Sequence, residues 1–127
     1  MAELVRHKFL IATDASGDYT DTGPPIFGAI LQIRYVPTVG DQALDTGADI
    51  DITLPTTGVV VANWDNIGGS AFTKVPKQPV HDTGGQDEGS SEFIFAAGEP
   101  LRVVVSTGNT GDTGTSSHTG TLHVWTG

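Results

Sequence analysis

The chain reads as an all-β protein, an eight-stranded two-sheet sandwich of jelly-roll type, and three observations predict it. Short runs rich in β-branched and aromatic residues recur along its 127 residues. They are separated by Gly, Pro and Asp/Thr clusters, and no window of eleven or more residues carries a helical repeat free of glycine, proline, threonine or aspartate. Eight strands that each need one face covered are satisfied by closing two sheets on one another.

The first strand is Leu4–Ala12. Ile26–Val36 follows the breaker Gly23-Pro24-Pro25, with Ala29, Leu31, Ile33 and Tyr35 expected on the core face and Ile30, Gln32, Arg34 and Val36 opposite. Residues 48–54 alternate strictly, so Ile50, Ile52 and Leu54 face inward while Asp49, Asp51 and Thr53 face water. Gly58–Trp64, Ala71–Val75 and Glu92–Ala97 continue the count, with Trp64 expected in the core and a single helical turn allowed only within 62–69. The closing pair, Leu101–Ser106 and Thr121–Thr126, brackets a Thr-Gly-rich run and predicts an antiparallel hairpin at the heart of a sheet, with a long tip.

One domain spanning 1–127 is expected, with two long polar segments: Gly68–Ser91, loop-like at about 76–91, and Thr107–Gly120. Loops beyond about 12–15 residues in a compact domain are usually functional or disordered. The second contains a three-residue Thr-Gly repeat around Thr110 and Asp112, a candidate arm for a neighbouring subunit.

Composition excludes several functions. The net charge is −9, from fifteen acidic and six basic residues, with a pI near 4.5; phosphate-backbone binding needs clustered Lys and Arg, so no direct nucleic-acid partner is expected. There is no cysteine, hence neither a disulfide framework nor a thiolate metal site. The four-residue apolar run after Lys8 is shorter than the roughly 7–15 apolar residues of a secretory segment and the roughly 20 of a spanning helix, so neither export nor a membrane anchor is expected.

No constellation announces catalysis. Ser90 and Ser91 lack the Gly-x-Ser-x-Gly frame of a nucleophile turn, and His81-Asp82 are adjacent, which points them apart on a strand. His7, His81, His118 and His123 show no zinc spacing, and the acidic runs Asp14–Asp21 and Asp41–Asp51 do not match a calcium loop. The expectation is therefore no catalytic residues, no metal and no cofactor. Strand phase sends His123 and Trp125 outward while Leu122 and Val124 face the core, and a large outward aromatic calls for a partner subunit or a ligand.

The strands Phe27-Gly28-Ala29-Ile30-Leu31-Gln32-Ile33-Arg34-Tyr35-Val36 and Asp49-Ile50-Asp51-Ile52-Thr53-Leu54, with Lys77-Gln78-Pro79-Val80-His81-Asp82, Glu99–Val105 and Gly120–Val124, resemble small virion proteins of tailed bacteriophages. The resemblance spans most of the chain and rests on β-patterned residues. It implies a capsid decoration or cement protein that binds the major capsid protein outside the head as a homotrimer and is assembled in the host cytoplasm. Trp125, His123, Arg6, Lys8, Thr110 and Asp112 are the expected subunit or capsid contacts. Two alternatives stay open: a head–tail connector or tail component, and a carbohydrate-binding sandwich presenting Trp64 or Trp125 to a sugar.

Overall fold

The computed structural model describes residues 4–14, 17–39, 43–44, 47–67, 70–81, 87–106 and 118–127, with the backbone alone at 79–81 and 87–90. Among these, nine strands and no helix are found: β1 Val5–Ala12, β2 Tyr19–Pro37, β3 Asp49–Leu54, β4 Val59–Trp64, β5 Phe72–Lys74, β6 Lys77–His81, β7 Asp87–Phe93, β8 Phe95–Ser106 and β9 Thr119–Thr126. All strand pairings are antiparallel and build a two-sheet, sandwich-like arrangement.

The 19-residue β2 belongs to both sheets. Its first part, from Tyr19 to Ala29, pairs with β8, and its second, from Ile30 to Pro37, pairs with β9. One sheet is therefore β1–β9–β2–β5 and the other β2–β8–β3–β4. The register shifts at Thr22/Pro25, at Ile26/Phe27 and at Ile30/Gln32, the kind of irregularity that bends a strand and lets it change sheets. Gly23-Pro24-Pro25, expected to break the chain, instead lies inside β2: proline without its N–H is tolerated at a bulge. Gly98 similarly falls at the shift where Glu99 and Ala97 pair with Ile26 and Phe27, so Glu92–Ala97 and Leu101–Ser106, expected as separate strands, contribute to a continuous β8.

The expected closing hairpin is not formed. β8 lies between β2 and β3, β9 between β1 and β2, so β2 separates the two. Each run is nonetheless interior to its sheet, which is why both are so apolar. The segment 76–91, expected as loop, contains β6 and most of β7, which form a two-stranded sheet of their own. No helical turn occurs between 62 and 67; β4 runs to Trp64. Most of the Thr107–Gly120 segment lies outside the described residues, and its last two residues open β9.

The core follows strand alternation. Ile50, Ile52 and Leu54 from β3 meet Leu101, Val103 and Val105 from β8, and Leu122 and Val124 from β9, all fully buried. In β2, Ala29, Ile33 and Tyr35 are buried as expected, but so is Ile30, while Leu31 is only half-buried. The shift between Ile30 and Gln32 explains both: Leu31 is the extra residue and pairs with nothing on β9. Trp64, expected in the core, is half-buried at its rim, its ring centroid 3.8 Å from that of Phe72.

Candidate functional site

The same alternation that buries Leu122 and Val124 lays out the opposite face of the β1–β9–β2 sheet. Cross-strand partners share a face, with Cβ atoms about 4.5–5.5 Å apart. Trp125 stands opposite Arg6 on β1 and Gln32 on β2; His123 stands opposite Lys8 and Arg34. Leu10, Thr121 and Val36 form the next row, and Thr73 of β5 extends the Arg34 position. No carboxylate occupies any of these paired positions, although the chain carries fifteen. Three of its six Lys/Arg residues are here.

The electrostatics register this concentration. The imidazole of His123 is held below the usual histidine value, first by burial and then by the charges of Arg6, Lys8 and Arg34. Its Nδ1 is buried and has no hydrogen-bond partner among the described residues. Its ring lies 5.6 Å from that of Trp125, tilted by 31°. Both rings are half-buried, whereas Arg6, Lys8 and Arg34 are exposed. The result is an aromatic centre between β1 and β2 with three cations around it.

The structure brings four of the six candidate contacts, Arg6, Lys8, His123 and Trp125, onto one face; strand phase in the sequence had pointed only the last two outward. Thr110 and Asp112 lie outside the described residues. Arg34 and Gln32 were not among the candidates, though the alternation of β2 had put both on its polar face. What was missing was that β2 and β1 flank the same strand, β9.

Elsewhere several described polar groups make local structural hydrogen bonds. The Asp14 carboxylate accepts the Asp18 N–H at 3.0 Å, Tyr19 donates its hydroxyl to Asp21 at 3.0 Å, and Asp49 accepts the Asn66 N–H at 3.0 Å. Among the described residues no group of three or more His, Asp or Glu could hold a metal ion. His7 donates to or accepts from Thr126 Oγ1 at 3.1 Å on the core side of β1. His118 Nδ1 is 2.7 Å from the Ala43 carbonyl oxygen, and its backbone N–H donates to Thr13 Oγ1 at 3.1 Å. Trp64 offers little to a sugar: Phe72 lies against its ring, and Lys74 Nζ stands 5.3 Å from the ring centroid.

No protein-family model matches the chain, and no curated protein is detectably similar to it. Among the solved structures to which the chain is similar are two with low TM-scores. The structure described as FlhE is 12% identical over 98% of both chains, with a TM-score of 0.48. A serine protease of Aeromonas sobria is 10% identical, with a TM-score of 0.45; the match takes in all of this chain but 28% of the protease.

Proposed function

We propose that this protein is a non-enzymatic structural module that assembles through the β1–β9–β2 face onto an acidic protein surface, and that its setting is the outside of a bacteriophage head, where it decorates and stabilises the shell as a trimer. The observation that carries the docking part is the patch itself: Arg6, Lys8 and Arg34 around Trp125 and His123, with no carboxylate among the paired positions, on a chain of net charge −9. A half-buried tryptophan within a charged rim is the composition of an interface anchor. The virion setting rests on the sequence resemblance and on the absence of a catalytic frame in the sequence. The remainder of the acidic surface keeps crowded copies soluble and mutually repelling until they dock.

The experiment is quantitative mass spectrometry of density-banded particles from the source, normalised to the major capsid protein, paired with rebinding of purified protein to stripped shells. Hundreds of copies per particle are expected; six to twelve would move the protein to the neck or tail, and none would end the virion reading. The variant Arg6→Glu/Lys8→Glu/Arg34→Glu is expected to lose at least about tenfold in shell affinity, and wild-type rebinding to weaken between about 0.05 and 0.5 M salt. Undiminished, salt-insensitive rebinding by the variant would refute this face as the docking surface.

A further inference from the structure

Among the described residues, the ribbon of β6 and β7 forms no ladder with a strand of the sandwich, and each of its strands pairs with the other. A two-stranded ribbon by itself is marginal in water, so it gains from any surface that covers it. In sequence β7, Asp87–Phe93, carries Asp87, Glu88 and Glu92 and no basic residue. The lysine of β6, Lys77, lies over the ring of Phe93, its Nζ 5.2 Å from the centroid. The same chain therefore carries a ribbon of acidic sequence that has no further sheet partner among the described residues, and a cationic sheet face with no carboxylate at its paired positions. Seven residues of extended chain span about 23 Å, enough to cross a face whose functional strip runs only from Thr121 to Trp125.

We propose that the acidic surface received by the β1–β9–β2 face is the β6–β7 ribbon of a second copy of this chain. The inference rests on the reading of that face as a docking surface and names its occupant. The contact is heterologous: the face of one copy takes the ribbon of the next, which leaves its own ribbon for a third, so repetition closes a ring where the rotation per copy permits. A cyclic trimer is the smallest such ring. In this arrangement the three cations are neutralised inside the assembly, and the ring presents a more uniformly acidic exterior than the single chain does. Attachment to a shell then uses the ring as a unit, and loss of the ring costs shell binding through lost multivalency.

The test combines sedimentation velocity with zero-length carbodiimide crosslinking of a mixture of ¹⁴N- and ¹⁵N-labelled protein. Expected are an oligomer at about 0.05 M salt that dissociates by about 0.5 M, and crosslinks of Lys8 to Asp87, Glu88 or Glu92 that join a light and a heavy peptide. Arg6→Glu/Lys8→Glu and Glu88→Lys/Glu92→Lys are each expected to be monomeric, with unchanged circular dichroism. Because each then carries a face and a ribbon of like charge, an equimolar mixture of the two is expected to restore salt-sensitive association through alternating contacts, as even-numbered species, since a ring of three would keep one like-charged joint. Crosslinks confined to single-label pairs would place the ribbon on its own face and overturn the proposal, as would an oligomer that survives salt and both reversals. A wild-type monomer at every salt concentration that still rebinds shells through the face would overturn the second copy as occupant while leaving the docking reading intact. A salt-sensitive, swap-rescued oligomer that binds no shell would support the ribbon contact and count against the virion setting alone.

Discussion

Among the described glycines, Gly120 leaves least room for a side chain. It is buried in β9 between Ile11 of β1 and Pro37 of β2, and a Cβ there would lie 2.8 Å from Tyr35 Cε1 and 2.9 Å from its hydroxyl oxygen. Tyr35 is fully buried, so the ring cannot swing into solvent. For Gly120→Ala two effects compete. Reduced freedom of the unfolded chain favours alanine by about 0.4–1 kcal/mol, while forcing a methyl group into a packed core costs about 1–3 kcal/mol. The clash wins, for a net loss of roughly 0.5–2 kcal/mol. At an unfolding entropy of about 2.1 cal/mol/K per residue, a chain of 127 residues loses ~4 °C of Tm per kcal/mol, so a drop of about 2–8 °C is expected. Calorimetry and urea unfolding of the variant are the assays, with Gly47→Ala as the control. At Gly47 a Cβ meets, among the described residues, only Asn66 Oδ1, at 4.0 Å, and the entropic effect alone predicts an unchanged or slightly raised Tm. A Tm for Gly120→Ala at or above wild type would refute the argument that Tyr35 fills this space.

Ile52 is fully buried at the centre of β3, paired with Ala62 on β4 and Val103 on β8; Ile52→Ala is expected to cost about 2–5 kcal/mol in urea unfolding, and a loss under 1 kcal/mol would show that the site collapses without a cavity. His7 and His123 are both held below the ordinary histidine value, principally by burial. As pH falls through about 6.5 the unfolded chain takes up protons first, so the stability from keeping these rings neutral is complete above that value and declines as pH falls towards the folded-state values. Urea midpoints measured from pH 7.5 to 5 are expected to fall less steeply in His7→Gln/His123→Gln than in wild type; identical slopes would assign the acid sensitivity to other groups.

Which parts of this molecule were legible in its sequence follows from what alternation can encode. Ile50, Ile52 and Leu54 against Asp49, Asp51 and Thr53 declare a half-buried strand unaided, and Leu122 and Val124 fix the outward phase of His123 and Trp125. Alternation is silent on neighbours. Leu101–Ser106 and Thr121–Thr126 look like two arms of one hairpin because they are apolar and close in sequence, yet β2 lies between them, and nothing local to either run records that. Breakers mislead in the same way: Gly23-Pro24-Pro25 and Gly98 mark bulges within long strands, since a proline or glycine that would end an ideal ladder also permits a bend. The ribbon of β6 and β7 escaped notice because its sequence, Lys77–His81 and Asp87–Phe93, is polar and carries no apolar alternation. The cationic patch was half legible. Its β1 and β9 members were named, while Arg34 required knowing that the second half of β2 leaves β8 for β9.

That change of partner makes the patch dependent on a distant-looking glycine. Gly28 lies just before the switch with φ +95°, a conformation L-residues rarely adopt, and a Cβ there would stand 2.9 Å from the carbonyl oxygen of Gly127. Gly127 is tied to the corner by two hydrogen bonds with Ala29, N–H to O at 3.0 Å in each direction. Two residues earlier in β9 is Trp125, and two residues after Ile30 in β2 is its partner Gln32. Gly28→Ala therefore strains the backbone and displaces the clamp that holds the end of β9 against the corner, each effect worth about 1–2 kcal/mol. The damage is expected at the patch before the core. In a Trp64→Phe background, Trp125 fluorescence should shift to the red and the amide protons of Ala29 and Gly127 should exchange faster, at urea concentrations where Ile52 remains protected. If Trp125 emission and these amides instead respond only with global unfolding, the corner is not a separate clamp, and the patch is held by the β1–β9–β2 ladder alone.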